Sequence, residues 1–189
     1  GDNVNRETLS KKPVKFLTLL LTAMLIATAS AAVYYSLSMT STISVATPSV
    51  YFVKGVDNQT AGVNLSTDNR TAQLTQLKAY PNVTTTYDDP IRVRNNHTSS
   101  SFNIRLRHVS LTGAATNFVF VNFTLTWMNG TEILSFDYTS NGTAWTLPSS
   151  PTSWQSIPAN TEWIVKVETK AIAGAAADTV TIEMAVDVE

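Results

Sequence analysis

The sequence predicts an all-β fold, and three observations carry that prediction. Apolar and polar residues alternate with period two through many short segments. Turn signals, above all Asn129-Gly130 and Asn141-Gly142, separate those segments. Outside the N-terminal region, no stretch shows a long helical period. Together they point to a β-sandwich over residues 48–189, preceded by a hydrophobic N-terminal helix or signal segment (1–31) and a long strand (32–47).

The N-terminal segment is bipartite. Gly1–Lys15 is polar and holds Arg6, Lys11, Lys12 and Lys15, whereas Phe16–Ala32 carries no charge. Basic residues ahead of an apolar run mark an export signal with its N-terminus left inside. Phe16–Ile26 has signal-peptide length, and both Ala27-Thr28-Ala29 and Ala29-Ser30-Ala31 fit the small-residue cleavage pattern. Extended to Tyr35, the run reaches about 20 residues, enough to span a bilayer, so an uncleaved anchor is the alternative. Contact with membrane is expected only during export or through that anchor.

Val33–Val45 alternates almost without fault. Every odd position except Ser41 is apolar, and the even positions Tyr34, Ser36, Ser38, Thr40, Thr42 and Ser44 all carry hydroxyls. One face of such a strand is dry and the other wet. At about 3.3 Å per residue it would span ~40 Å, roughly twice a usual strand. Three placements are open: one long strand in its own domain, two strands broken at Ser41, or a strand inserted into the next copy.

Pro48 ends that strand, and Val50–Val53 is a short apolar one. Gly55–Thr71 is polar and turn-rich and reads as a surface loop. Leu74–Tyr80 fits a short helix or a strand equally, and Pro81–Pro90 reads as a second loop. Ile91–Arg94 alternates, as does Phe102–Leu106, before the apolar positions change parity to Val109 and Leu111; a bulge near His108 is expected. Asn117–Trp127 is a strand, with Val119, Val121, Phe123, Leu125 and Trp127 on one side and Phe118 and Phe120 on the other. The two Asn-Gly pairs predict hairpins with type I′ turns. Glu162–Thr169 and Thr179–Val188 complete the set, joined by the small residues Gly174–Ala177; Val180, Ile182, Met184, Val186 and Val188 are expected inward.

Composition narrows the function classes. Of the 189 residues, 43% are hydrophobic and only 14% are charged, and the net charge is −1. Charged residues usually make up about 25%; here Thr, Ser and Asn take their place. No basic stripe lies outside the N-terminus, so nucleic acid is not an expected partner. With no cysteine, disulfides are excluded, and robustness outside the cell must come from packing, glycans or polymerisation.

Eight Asn-x-Ser/Thr sequons occur, at Asn58, Asn64, Asn69, Asn82, Asn96, Asn122, Asn129 and Asn141, none with proline in the middle. Behind an export signal they nominate N-linked glycans. Six lie in predicted loops or turns and Asn96 beside a strand end; Asn122 alone lies mid-strand. A glycan cannot enter a core, so a modified Asn122 requires its face of the strand to point outward. Phe118 and Phe120 then share that outer face, as a subunit contact or beneath a covering loop.

Catalytic chemistry is not nominated. His97 and His108 are the only histidines, and with no cysteine a zinc site is not expected. Asp88-Asp89 supplies two carboxylates where calcium takes about 6–8 oxygens, so a solvated acidic turn is the expected reading. Neither a phosphate-cradling glycine loop nor a nucleophile elbow occurs. Nothing in the sequence calls for an enzyme, a metal or a cofactor.

The order of features carries a resemblance. The small-residue end of the apolar run and the junction Ala32-Val33-Tyr34-Tyr35 lead into the amphipathic strand. Later come Ile91-Arg92-Val93-Arg94-Asn95-Asn96 and Ile157-Pro158-Ala159-Asn160-Thr161-Glu162. From about Phe16 onward the chain resembles the TasA/camelysin-like biofilm-fibre proteins and, given its sequons and lack of cysteine, the archaeal bundling-pilus and thread subunits. The resemblance implies a jelly-roll-like sandwich whose N-terminal strand completes the sheet of a neighbour in a homopolymeric, extracellular filament. Val33, Tyr35, Leu37, Met39, Ile43 and Val45 would form the donor strand's apolar face. The rival expectations are a membrane-anchored monomeric surface glycoprotein (an adhesin, binding module or viral spike) and a type IV-like pilin.

Overall fold

The structure is a computed structural model that describes residues 49–189; the segment 1–31 and the strand holding Val33, Tyr35, Leu37, Met39, Ile43 and Val45 lie outside the described residues. The described part is all-β. In chain order the strands are β1 (Val50–Lys54), β2 (Val63–Leu65), β3 (Ala72–Leu74), β4 (Thr85–Asn95), β5 (Phe102–Thr112), β6 (Phe118–Trp127), β7 (Glu132–Ser140), β8 (Trp145–Thr146), β9 (Gln155–Ile157), β10 (Thr161–Ala171) and β11 (Thr181–Val188). One helical turn, α1 (Asn58–Ala61), follows β1. No helix among the described residues is long and apolar enough to cross a membrane.

A six-stranded sheet in the order β1-β4-β10-β6-β7-β8 and a three-stranded sheet in the order β11-β5-β9 make up most of the fold. They share one hydrophobic cluster. The large sheet contributes Tyr87, Ile91, Val93, Val121, Phe123, Leu125, Phe136, Tyr138, Trp163, Val165 and Val167 to it, and the small sheet contributes Ile104, Leu106 and Ile157. Period-two alternation produces this, since every second side chain of each strand lands on the same side.

Departures from strict alternation decide several positions. In β5, Glu183 pairs with Ser110 but Met184 with His108, so Val109 is the extra residue of a bulge and is 43% exposed. That is where the parity change placed it. The ring of His108 stays inward, its Nδ1 3.0 Å from the Tyr138 hydroxyl across the core. In β6, Lys170 pairs with Phe120 but Ala171 with Phe118, so Val119 is a second bulge residue. Phe118 therefore turns inward, is buried, and packs 5.7 Å from the Trp145 ring. The expectation that Phe118 and Phe120 share the outer face is corrected: only Phe120 remains there, half-buried. Trp127 sits at the rim against Trp163, and Val188 is likewise partly exposed rather than inward.

Two predicted loops hold regular structure. The polar stretch 55–71 includes α1 and β2, and β4 begins at Thr85 and passes through Pro90. Val165 pairs with Ile91 and Val167 with Tyr87, so Asp88-Asp89-Pro90 bulges opposite Lys166 and the proline nitrogen is spared a ladder bond. Backbone groups of Gly55 and Asp57 bond the carbonyls of Pro90 and Asp89 at 3.1 and 2.8 Å. A Cβ at Gly55 would lie 2.1 Å from the Asp89 oxygen, so only glycine allows this approach. The hairpins at Asn129-Gly130 and Asn141-Gly142 form, with positive φ at the glycines but not at the asparagines. Their Asn-Gly pairs are therefore not the centres of type I′ turns, which need positive φ at both central residues. In each, the asparagine Oδ1 instead accepts a backbone N–H two residues on, from Thr131 and from Thr143.

Asn95 joins the sheets at one end. Fully buried, it donates through Nδ2 to the carbonyls of Ser100, Ile157 and Pro158 at 2.9, 3.2 and 2.9 Å, while its Oδ1 accepts from the His97 backbone N–H at 3.0 Å. Asn95→Ala would orphan several buried groups. We expect a loss of about 2–4 kcal/mol in urea denaturation of unglycosylated protein, against less than about 0.5 kcal/mol for Asn96→Ala next to it.

Candidate assembly surface

The segments Ile91–Asn96 and Ile157–Glu162, far apart in sequence, meet at the end of the fold held by Asn95. On the outside, the Arg92 guanidinium pairs with Asp89 and, at 2.9 Å, with Glu162, and Arg94 reaches the same Glu162 at 3.3 Å. These carboxylates hold the Arg92 guanidinium above its usual range, with the Asp89 bond the largest cause. Asp89 also accepts from the Val56 N–H, so it is committed to the fold, while Asp88 stays exposed. The Asn160 N–H donates to the His97 carbonyl at 3.0 Å, and the Asn96 N–H donates to the Ser49 carbonyl at 2.8 Å. This end thus holds Ser49, the first described residue.

The small sheet is the less complete layer. β5 is flanked on one side by β9, where Ile157 pairs with Phe102 and Gln155 with Ile104. Further along the same side, the Thr152 and Ser150 hydroxyls accept from the Leu106 and His108 N–H groups. On its other side lies β11, and among the described residues no strand pairs with β11's far edge. Ile182, Met184 and Val186 face the core yet are only partly buried there. Other edges are shorter or occupied: the β1 N–H of Phe52 donates to the Asn69 carbonyl at 2.9 Å, and β8 has two residues.

The outer side of β11 is fastened by charge. Asp187 accepts from Arg105 at 3.1 Å and from Arg107 at 3.1 Å, and the Arg105 guanidinium lies 4.3 Å from the centre of the Trp154 ring. The hydrogen bond from Arg107, seconded by that from Arg105, holds the Asp187 carboxyl below its usual range.

The sequons occupy varied settings. Asn82, Asn96, Asn129 and Asn141 are exposed in loops or turns, Asn82 with φ of 58°. Asn64 is exposed but lies within β2, and Asn69 takes a φ of 57° at a half-buried turn. Asn58 opens α1 with its Nδ2 donating to the Gly55 carbonyl at 2.6 Å. Asn122 faces outward on β6 between Glu168 of β10 and Asp137 of β7, and its Oδ1 is buried without a hydrogen-bond partner.

A cleft of about 740 Å³ is lined by residues including Asp57, Thr60, Gln76, Tyr80 and Asp88. Asp57 there is engaged structurally, accepting from the Asp89 N–H at 2.9 Å. The two histidines act locally: His97 Nδ1 accepts from the N–H groups of Ser99 and Ser100, and His108 meets Tyr138, whose burial pushes its hydroxyl pKa up to about 12. Among the described residues no group of three or more His, Cys, Asp or Glu side chains converges to hold a metal.

In comparisons with known proteins, no family model and no curated protein matches this chain.

The geometry at Asp187 predicts a pH dependence. A carboxylate with a lowered folded pKa stabilises fully above its unfolded value, about 3.9, and that stabilisation is lost as pH falls through the folded value. Asp187→Asn is therefore expected to melt below the wild type near about pH 7, with the gap closing toward about pH 2. Paired thermal melts across that range provide the check.

Proposed function

We propose that the protein is the repeating subunit of an extracellular, N-glycosylated filament that polymerises by strand donation from residues 33–45. The observation that carries this reading is the wet–dry alternation of Val33–Val45, interrupted only at Ser41, ahead of a domain whose small sheet has a half-covered edge that no strand pairs among the described residues. Main-chain bonds to a sheet edge supply affinity, and alternate side chains supply register. Burying Tyr35, Leu37, Met39, Ile43 and Val45 at ~1.5–3 kcal/mol each yields a gross gain on the order of 10 kcal/mol before association costs. A fourth strand on the small sheet brings the sandwich toward the jelly-roll-like closure that the resemblance implies. Strand donation also hides an edge that otherwise invites disordered pairing.

In this reading the sequons clothe the filament. Asn82, Asn96, Asn129 and Asn141 present exposed amides, whereas Asn122 is flanked by paired strands and fits modification poorly once the sheet has formed. A second reading rests on Arg6, Lys11, Lys12 and Lys15 ahead of a run just long enough to span a bilayer: an anchored surface glycoprotein. The mature N-terminus separates the two. Processing near Ala31 favours the filament, and Lys11 and Lys12 retained in surface protein favour the anchor.

Deleting residues 33–45 with export preserved should leave secreted subunits that form no filaments in electron micrographs. Leu37→Asp or Ile43→Asp should act the same way, because each brings an unpaired charge to a dry groove. Filaments persisting in the deletion variant would overturn the reading. Glycopeptide mass spectrometry should find Asn122 the least occupied sequon, and Asn141→Gln should remove one glycan's mass while filaments still form.

A further inference from the structure

β11 has a direction as well as an edge left unpaired among the described residues. Just past its end, Glu189 and Asn103 exchange both backbone hydrogen bonds, at 2.8 and 2.9 Å. The alternation of an antiparallel ladder then makes Asp187 with Arg105 and Ala185 with Arg107 the next bonded pairs. It turns the N–H and C=O groups of Val188, Val186 and Met184 away from β5. Among the described residues none of these three N–H groups has a hydrogen-bond partner.

β11 runs toward the end of the domain that holds Ser49, the first described residue. Val188 lies opposite Ile104 near the start of β5, and Asn95 binds that region to the start of β1, where Asn96 holds the Ser49 carbonyl. Delivery therefore fixes polarity. A copy stacked head to tail brings this end to the Thr181 end of its neighbour, and its residues 33–45 then run antiparallel to β11. A segment exchanged across a two-fold axis, or folded back on its own β11, comes in beside Val188 and runs parallel. Every strand pair among the described residues is antiparallel, and parallel pairing is the weaker kind per residue.

We propose that the free edge of β11 accepts residues 33–45 of a second copy as an antiparallel strand delivered head to tail. The proposal rests on the strand-donation reading and adds to it the acceptor and the polarity. The donor's odd-numbered side chains extend the inner face beyond Met184 and Val186, and its hydroxyls line the outside. Because donor and acceptor surfaces differ, the contact propagates instead of closing at a dimer.

Two variants of the full exported chain test it. Val186→Pro removes a free-edge N–H and leaves the β5 ladder untouched; deletion of 33–45 removes the donor. Each alone should form no filaments, and an equal mixture should stop at a heterodimer in sedimentation velocity. Filaments from Val186→Pro alone would overturn the acceptor assignment and leave strand donation standing, whereas filaments from the deletion alone would overturn donation itself. The natural lack of cysteine allows a second arm, decisive if Val186→Pro melts below the wild type. Single cysteines at Ser36, Ser38, Thr40 or Thr42 are combined with Ala185→Cys or Thr181→Cys. Intermolecular disulfides should join Ala185→Cys to an earlier donor position than Thr181→Cys. The reverse order, disulfides within one chain, or filaments without any disulfide would each overturn the proposal.

Discussion

The Asn95 amide is the constraint on which the rest of the domain depends. A buried side chain with two donors and an acceptor must find partners for all of them. Asn95 finds them on two separate stretches: the His97 N–H and Ser100 carbonyl of the 97–100 turn, and the Ile157 and Pro158 carbonyls. The β4–β5 crossing and the β9–β10 crossing are thereby locked to each other, and both link the large sheet to the small one. Glu162, held by Arg92 and Arg94 just outside, braces the same corner from the solvent side. The neighbouring Asn96 N–H then sets where Ser49, the first described residue, lies.

The unequal sheets explain why an edge matters here. Six strands present more apolar surface than three can cover, and the shortfall falls on β11, the outermost strand of the smaller layer. Its inward side chains are only partly covered, and its outward backbone groups are unpaired among the described residues. The Arg105–Asp187–Arg107 cluster, with Trp154 against Arg105, holds β11 to β5 from outside, so the edge is firm while its outer rim is open. An edge both rigid and apolar on one side suits main-chain pairing with specificity from alternate side chains.

The all-β character, the strand cores and the hairpin positions were legible in the sequence, because period-two alternation and Asn-Gly turns are local signals that each strand carries alone. The β5 bulge was legible as well, since the change of parity between Leu106 and Leu111 leaves no other way to keep both sides of it inward. Phe118 and Pro90 were not. The bulge that turns Phe118 inward exists because Ala171, more than fifty residues away, lies opposite it. The bulge that admits Pro90 exists because Gly55 and Asp57 take up the backbone oxygens beside it. Alternation says which residues share a side; partners distant in sequence say which side and where the count slips. The same division applies to Asn95: as a residue in Arg94-Asn95-Asn96 it is one polar side chain among many, and only the meeting of both sheets gives it four groups to bond and makes it indispensable.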